Sequence, residues 1–187
     1  MSKLSATKII EERDKGNLNI IPFSKRLLNP NSYNVKLSNV LKVYKNDIIL
    51  DCKKDNSYTT ITIPETGLIL KPGKLYIGST VERVSSDKYV TGIDGRSSLG
   101  RLGISVHATA GFGDIGFDGT YTLEIFCVQP VVIYPNIEIA QVYFEDILGD
   151  VDFLYNGRYQ GQTQPETSKL FMKEEDLKDD YHYRDKR

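Results

Sequence analysis

Four residues in the middle of the chain have the side-chain types that acid–base chemistry on a charged substrate needs. Ser97 and Arg101 lie four positions apart, so a single helical turn would place both on one face. Asp114 follows in a glycine-rich stretch, and Glu124 lies in an alternating strand-like run. If its face of the strand is covered, Glu124 loses solvation, its pKa rises, and it can carry protons near neutral pH. A solvated outer face would explain Glu124 equally well, and the residues alone leave both interpretations open.

The start of the predicted helical turn favours an anionic ligand. Residues 95–98 (Gly-Arg-Ser-Ser) would open a short helix with an arginine, two hydroxyls and free backbone amides, the groups that bind anions. The alternative is a capped helix start with an exposed arginine.

Around Asp114, glycines at 111, 113, 116 and 119 would let the backbone come close to a ligand. The alternative there is an ordinary turn aspartate, and we interpret the nearby His107 as structural rather than as a base.

The composition excludes several classes of protein. The 187 residues carry a net charge of −1, so no overall basic field predicts nucleic-acid binding. No apolar run approaches the roughly 20 residues of a membrane span, and no membrane partner is expected. Cys52 and Cys127 lie in separate predicted strands and match no metal-ligand spacing. We expect both to be reduced, buried thiols in a cytoplasmic protein.

The hydrophobic pattern predicts an all-β fold. After a short helix over residues 4–15, ended by Gly16, alternation begins at Tyr33. Many short strands separated by Asn, Asp, Pro or Gly are typical of a sandwich, jelly roll or barrel. The predicted strands cover residues 19–23, 33–37, 41–44, 48–52, 58–63, 68–70, 75–79, 89–91, 104–107, 121–127, 131–134 and 137–144.

We predict one domain over residues 1–171, with a helical turn at residues 97–101. Residues 155–168 are polar and rich in hydrogen-bond donors. They are either a disordered linker or a lid that orders over a polar ligand. Residues 172–187 are so highly charged that we expect a mobile tail or a solvent-facing helix.

The order of these motifs resembles the dCTP deaminase branch of the dUTPase-like superfamily, and no single motif would be sufficient. The similarity covers most of the chain except the charged tail. The matching motifs are Asn-Pro-Asn-Ser-Tyr-Asn-Val at 29–35, Gly-Arg-Ser-Ser-Leu-Gly-Arg-Leu-Gly at 95–103, His-Ala-Thr-Ala-Gly-Phe at 107–112, Asp-Ile-Gly-Phe-Asp-Gly at 114–119, Thr-Leu-Glu at 122–124 and Gly-Arg-Tyr-Gln-Gly-Gln at 157–162.

The resemblance implies a distorted jelly roll (β-clip) that forms a homotrimer with active sites between subunits. The implied reaction is hydrolytic deamination of dCTP to dUTP and ammonia, continuing to dUMP and pyrophosphate as a supply for thymidylate synthesis. Mg²⁺ would enter with the triphosphate rather than in a protein cage. Zinc is not expected, because the H-x-E and P-C-x-x-C signatures of zinc deaminases are missing from the sequence.

The resemblance also implies a role for individual residues. Glu124 would be the proton shuttle, with Ser97, Arg101 and the carbonyl of Ala110 around the cytosine amino group and the attacking water. Asp114 would bind the deoxyribose 3′-hydroxyl. The residues implied in phosphate binding are Arg96, Ser97, Ser98, Tyr155, Arg158 and Gln162; Arg158 replaces the usual lysine. The other implied substrate-binding residues are Leu99, Gly100, Phe117, Thr122, Leu123 and Gln141.

Gly111 and Phe112 bear on whether the reaction stops at dUTP. In the resembled family, enzymes that stop there tend to carry a basic pair at this point, and those that continue to dUMP carry glycine and an aromatic residue. The pair in this chain is of the second type, which leaves room for a water near the α-phosphate with Asp114 as its base. A simple turn is the alternative. A dUTP diphosphatase or a non-catalytic nucleotide-binding jelly-roll protein are the competing functions.

Overall fold

The computed structural model describes residues 2–108 and 111–172, together with the backbone of residues 181–183. Helix α1 (Ala6–Asp14) begins where the Ser5 hydroxyl accepts a hydrogen bond from the Lys8 amide at 3.3 Å. It ends just before Gly16, whose φ of 79° is a conformation that favours glycine. Lys25–Leu27 forms a 3-10 turn, and helix α2 is the single turn Ser97–Gly100. The predicted N-terminal helix and helical turn are therefore confirmed.

Antiparallel strands make up most of the described chain. Their bounds are β1 Leu18–Ile21, β2 Leu28–Asn29, β3 Ser32–Lys36, β4 Val40–Tyr44, β5 Tyr58–Thr62, β6 Leu68–Leu70, β7 Tyr76–Ser86, β8 Val90–Gly95, β9 Ile104–Ser105, β10 Phe112–Gly113, β11 Asp118–Cys127, β12 Val131–Ile133, β13 Glu138–Glu145, β14 Phe153–Tyr155 and β15 Tyr181–Tyr183.

Two larger sheets carry the architecture. One has the order β5-β4-β7-β11-β9, with β1 also paired to β7, and the other has the order β10-β8-β13-β3-β2. The long pair β7–β11 forms the centre of the first sheet, and a register shift between Thr120 and Thr122 marks an irregularity in it. Two-stranded pairs β12-β6 and β14-β15 complete the fold. The predicted all-β fold is confirmed.

The core combines side chains from both sheets. Tyr33, Val35 and Phe144 come from the second sheet, while Leu123 and Ile125 come from β11, and all are fully buried. Burying a side chain of this size contributes roughly 1.5–3 kcal/mol to stability. Because β11 alternates, its other face turns the intervening residues away from this core.

One predicted strand and one predicted thiol environment are wrong. Residues 48–52 form a loop after β4 rather than a strand, and Ile49 is 97% exposed. Cys52 is consequently exposed, whereas Cys127 is buried in β11 as expected; both thiols are free. The apolar run predicted a strand, but in the described chain it pairs with no neighbour.

The chain after β14 returns to β11. Gln162, Pro165 and Thr167 are buried there, and Tyr181–Tyr183 pairs with Phe153–Tyr155. The rest of the predicted charged tail, residues 173–180 and 184–187, lies outside the described residues. In the part of the chain that the structure describes, no helix has both the length and the apolar character needed to cross a membrane.

Candidate active site

A cleft of about 500 Å³ lies between the outer face of β11, the loop before it and the returning C-terminal segment. Both candidate catalytic carboxylates, Asp114 and Glu124, open into it. The remaining described residues that line the cleft are Tyr44, Leu75, Ile77, Phe112, Gly113, Phe117, Tyr121, Thr122, Tyr155, Tyr159, Gln162, Glu166, Thr167 and Ser168.

Glu124 is held in position by the backbone beside it. Its Oε2 accepts a hydrogen bond from the Ala108 amide at 2.9 Å, and its own amide donates to the Val106 carbonyl at 3.0 Å. Alternation along β11 places Thr122 on the same face, where its Oγ1 accepts from the Glu166 amide at 3.2 Å. Glu124 is half-buried at the wall of the cleft, so its face is covered rather than fully solvated.

Asp114 is exposed at the tip of the loop before β11. Its carbonyl accepts a hydrogen bond from the Phe117 amide at 3.1 Å, which closes a tight turn. The glycines that follow admit the chain's own C-terminal segment: a Cβ on Gly116 would lie 2.6 Å from Leu154, and one on Gly119 would lie 2.9 Å from the Gln162 carbonyl. The glycines therefore bring the C-terminal segment beside Asp114.

Aromatic side chains form the apolar wall of the cleft. The Phe117 ring lies 5.1 Å from the ring of Tyr121 and 6.0 Å from that of Tyr155, both in tilted geometry. The Tyr121 hydroxyl is hydrogen-bonded to Thr91, and burial raises the pKa of Tyr121 well above its usual range. Phe117 is thus both part of the core and a surface against which a ligand could pack.

The C-terminal segment is fixed by hydrogen bonds to β11. Gln162 donates from Nε2 to the Thr120 carbonyl at 2.7 Å and accepts at its own carbonyl from the Thr120 amide at 2.9 Å. The Asp118 amide donates to Gln160 Oε1 at 2.8 Å. Tyr155 and Tyr159 anchor the segment against the core. Residues 155–168 are therefore ordered against the sheet; whether they cover a substrate stays a prediction.

Two polar atoms in this segment are buried without a hydrogen-bond partner among the described residues: Arg158 Nε and Gln162 Oε1. An unsatisfied buried polar group costs roughly 1–3 kcal/mol. Gln162 lines the cleft, but Arg158 is not among its lining residues. Arg158 Nε is thus an unused donor behind the cleft, and Gln162 Oε1 is an unused acceptor on a residue of its wall.

The other half of the predicted site does not line this cleft. None of the described residues from 96 to 101 is part of its wall, so Ser97 and Arg101 do not share this cleft with Glu124 within one chain. Ser97, Ser98 and Gly100 are exposed on α2, Arg101 is exposed immediately after it, and Leu99 packs partly against the core. Arg96 instead forms an ion pair with Glu138, and Gln141 accepts a hydrogen bond from the Ser32 hydroxyl at 3.1 Å.

Three other predicted positions differ in what they can contribute. Leu123 is completely buried in the core, so only its backbone could meet a ligand. Phe112 is 68% exposed and lines the cleft, while Gly111 accepts a hydrogen bond from the Ile93 amide at 2.8 Å. A Cβ on Gly111 would lie 2.7 Å from the Ile93 carbonyl, so larger residues would displace the backbone. Ala110 lies outside the described residues.

His107 is beside the site but directed into the protein. Both imidazole nitrogens are buried without a hydrogen-bond partner among the described residues, and burial lowers the pKa of His107. This environment disfavours the charged form. In the described ranges, no group of three or more His, Cys, Asp or Glu side chains could hold a metal ion. Independence from zinc stays a prediction.

Several lining residues were not predicted. Tyr44 comes from β4, and its hydroxyl accepts a hydrogen bond from the Ser168 amide at 3.2 Å, which ties the end of the C-terminal segment across the cleft. No sequence signal distinguishes it from other strand tyrosines. Glu166 adds a third carboxylate, paired with Lys169 at 3.5 Å. Tyr159 lies within the 157–162 motif, between Arg158 and Gln162, which are both implied in phosphate binding. This position was the sequence signal that could have identified it.

The fold and the cleft define an all-β protein whose candidate site carries two carboxylates beside an aromatic wall. The family model described as dCTP deaminase-like matches residues 3–147, most of the chain. This chain therefore belongs to the dCTP deaminase-like family.

Curated relatives match a larger share of the chain than the family model does. A protein of Hathewaya histolytica named "dCTP deaminase, dUMP-forming" is 54% identical over 164 residues, covering 88% of this chain and 95% of the relative. A protein of the same name from Clostridium beijerinckii is 54% identical over 155 residues, covering 83% and 89%. One from Cytophaga hutchinsonii is 48% identical over 164 residues, covering 87% and 94%.

Among solved structures, 2′-deoxycytidine 5′-triphosphate deaminase from Agrobacterium tumefaciens matches with a TM-score of 0.59 at 18% identity. The match covers 78% of this chain and 48% of the solved chain, so this protein spans about half the length of that structure. At this identity the similarity establishes a shared fold.

Proposed function

We propose that this protein deaminates dCTP hydrolytically and continues to dUMP and pyrophosphate. The observation that carries the proposal is Glu124, held by the Ala108 amide at the wall of a cleft that also contains Asp114. Membership of the dCTP deaminase-like family and relatives named as dUMP-forming deaminases support it. The product would supply thymidylate synthesis.

In the first step, Glu124 removes a proton from water as the water oxygen bonds to C4 of cytosine. The resulting carboxylic acid protonates N3. The carboxylate then takes the proton of the new C4 hydroxyl and delivers it to the amino nitrogen, and the carbon–nitrogen bond breaks, releasing ammonia and leaving uracil with a carbonyl at C4. The hydrogen bond from the Ala108 amide to Oε2 orients the carboxylate for these transfers. Ser97, Arg101 and the Ala110 carbonyl hold the water and the amino group.

The cleft accommodates the rest of a nucleotide. The Phe117 and Tyr155 rings provide an apolar surface beside the sugar, and Asp114 accepts from the 3′-hydroxyl. Arg158, whose buried Nε is an unused donor, binds phosphate together with Gln162, Arg96, Ser97, Ser98 and Tyr155. The remaining contacts come from Leu99, Gly100, Thr122, Gln141 and the Leu123 backbone.

In the second step, water attacks the α-phosphorus of dUTP. Asp114 accepts the proton of that water, and the bond between the α-phosphorus and its bridging oxygen breaks, releasing pyrophosphate and leaving dUMP. Mg²⁺ carried by the triphosphate would supply positive charge against the charge that develops on the phosphate oxygens. Gly111 and the exposed Phe112 leave space for the attacking water.

The active form of the protein is a homotrimer in which two subunits build each site. The location of residues 96–101 outside the Glu124 cleft of their own chain supports this arrangement. A neighbouring subunit would bring its α2 to the cleft and supply the cations that a triphosphate needs. We further propose a cytoplasmic, zinc-independent enzyme.

Product identification tests this function. Incubation of the protein with dCTP and Mg²⁺ should release ammonia and pyrophosphate and yield dUMP with little free dUTP. Phe112→Arg should shift the products toward dUTP, because a long cation would occupy the space for the second water. Hydrolysis of dUTP without ammonia release from dCTP would indicate a dUTP diphosphatase. Binding without turnover of either nucleotide would indicate a non-catalytic protein.

A further inference from the structure

Glu138 is the point where four parts of the fold meet. It begins β13, and the register that pairs Ala140 with Gly95 places it next to Arg96, the first residue after β8. Asn34 reaches it from β3, and Arg26 reaches it from the 3-10 turn. An acidic residue at this junction contacts two arginines that are distant in sequence.

The contacts of Glu138 are close and directional. Oε2 lies 2.8 Å from Arg96 Nη1 and also accepts a hydrogen bond from Asn34 Nδ2 at 2.8 Å. Oε1 accepts from Arg26 Nη1 at 3.1 Å. The Glu138 carbonyl accepts a weaker bond from the same Arg96 nitrogen at 3.4 Å. The described contacts of Arg96 thus use Nη1, and the Nε–Nη2 edge remains the part of the guanidinium that can bind a phosphate bidentately.

A continuous hydrogen-bond network fixes the carboxylate in turn. Asn29 Nδ2 donates to Asn34 Oδ1 at 2.7 Å and to the Ser32 hydroxyl at 3.2 Å. The Ser32 hydroxyl donates to Gln141 Oε1 at 3.1 Å. Asn34 and Ser32 are each only 6% exposed, so these bonds are shielded from water and strengthened by the low local dielectric.

The network joins two residues that are implied in nucleotide binding but lie outside the cleft. At one end it holds Arg96, and at the other the Ser32 hydroxyl donates to the side-chain carbonyl oxygen of Gln141. One carboxylate between two arginines leaves a local charge of about +1, which favours an anionic ligand.

We infer that Glu138, fixed by Asn34, is a positioning residue that presents the Arg96 guanidinium to the substrate triphosphate. This inference rests on the proposed function, because it assigns Arg96 to phosphate binding. Glu138 itself repels phosphate, so its contribution is geometric: it holds one nitrogen of the guanidinium and directs the opposite edge outward.

The test measures dCTP turnover and binding in variants of Glu138 and Arg96. Glu138→Ala should raise KM for dCTP about tenfold with kcat changed less than about twofold, because Arg96 loses the partner that orients it. Glu138→Gln keeps an acceptor for Arg96 and should stay within about threefold of the wild type. In an Arg96→Ala background, Glu138→Ala should have no further effect, since both act on the same contact.

Glu145→Ala is the matched control. Glu145 lies at the other end of β13 and pairs with Lys3 at 2.8 Å, so the variant removes an equivalent ion pair away from Arg96. Its KM should equal that of the wild type. Melting temperatures of all variants separate a loss of fold from a loss of positioning. If Glu138→Ala does not fold, Glu138→Asp replaces it in both backgrounds, because the shorter side chain keeps the charge but withdraws the carboxylate from Arg96.

Three results would overturn the inference: an unchanged KM in Glu138→Ala, a lower KM as expected from simple charge removal, or multiplicative effects of Glu138→Ala and Arg96→Ala. Titration calorimetry with dCTP separates this outcome from failure of the proposed function. If the wild type binds dCTP without releasing ammonia, the function fails but the variants still test Glu138 by affinity. Wild-type protein that does not bind dCTP would overturn both.

Discussion

The cleft around Glu124 and the exposed turn α2 differ in what surrounds their polar side chains. Glu124 has a backbone partner, an aromatic wall and a C-terminal segment tied across it. On α2, Ser97, Ser98 and Arg101 face outward. The cleft is largely prepared within one chain, whereas the cationic turn has no binding wall of its own among the described residues. The cleft is acidic and apolar and the turn is cationic, and we refer to them as the two half-sites of the proposed shared site.

The largest expected effect comes from removing the proton carrier of the first half-site. Glu124→Gln keeps the shape and the hydrogen bond from the Ala108 amide but cannot shuttle protons, so ammonia release should fall at least about 100-fold. Binding of dCTP, measured by calorimetry, should largely survive.

Glu166→Gln is the matched control for that variant. Glu166 is a carboxylate in the same cleft but pairs with Lys169, so its removal should change ammonia release only a few-fold. Near-normal activity of Glu124→Gln would contradict the assignment of Glu124 as the proton carrier. Equal losses in the two variants would show that any carboxylate of the cleft contributes through its charge alone.

A smaller loss is expected from the C-terminal segment. Truncation before Asn156 would remove water exclusion and phosphate contacts, but it would also strip the hydrogen bonds between Gln162 and Thr120. Arg158→Ala is therefore the sharper variant. A charge-assisted contact to phosphate predicts about a tenfold drop in kcat/KM.

Lys169→Ala provides the comparison for Arg158→Ala, since it removes a cation from the same segment. Lys169 donates to the Arg158 carbonyl at 3.3 Å and should affect turnover less than Arg158 does. If both variants turn over dCTP normally, the segment contributes no phosphate contact and is a structural linker.

The smallest effect on activity, and a clear effect on stability, is expected at a carboxylate outside both half-sites. Glu12 is buried and accepts from Asn17 Nδ2 at 2.6 Å, with Lys8, Lys15 and Lys88 at 3.0–3.1 Å. The hydrogen bond from Asn17 and the lysines hold the pKa of Glu12 well below its ordinary value near 4.5.

A depressed carboxyl pKa gives stability that is present above the unfolded-state pKa and lost as pH falls. Glu12→Gln should therefore lower the melting temperature at pH 7, and its gap to the wild type should narrow as pH falls below about 4.5. Turnover of dCTP at 25 °C should be unchanged. A gap that is constant with pH would show that the ionised form contributes no stability.

Sequence patterns predicted the elements whose residues alternate cleanly and missed those that do not. On β11, Tyr121, Leu123 and Ile125 face the core, so the side of Glu124 could be assigned in advance. Only residues 75–79 of β7 were predicted, although the strand is Tyr76–Ser86, because Glu82 and the polar residues around it interrupt the apolar pattern. The strand predicted at residues 48–52 was wrong for the opposite reason, because an apolar run does not reveal whether a partner strand exists.

The candidate site was predictable in its motifs but not in its assembly. Asp114, Phe117, Thr122, Glu124 and Gln162 meet in one cleft as expected. The contribution of Tyr44 depends on the C-terminal segment crossing β4, a contact between distant parts of the chain that no local pattern encodes. The pairing of Arg96 with Glu138 depends in the same way on strand register.

Subunit complementation tests most directly whether the two half-sites complete each other between subunits. Arg101→Ala and Glu124→Gln should each be nearly inactive alone. Because each residue is intact in half of the subunits, random co-assembly at equal amounts should combine an intact Arg101 with an intact Glu124 in about a quarter of the sites. Ammonia release from dCTP should then recover to about a quarter of the wild-type rate. Activity no greater than the sum of the separate variants would contradict a shared site.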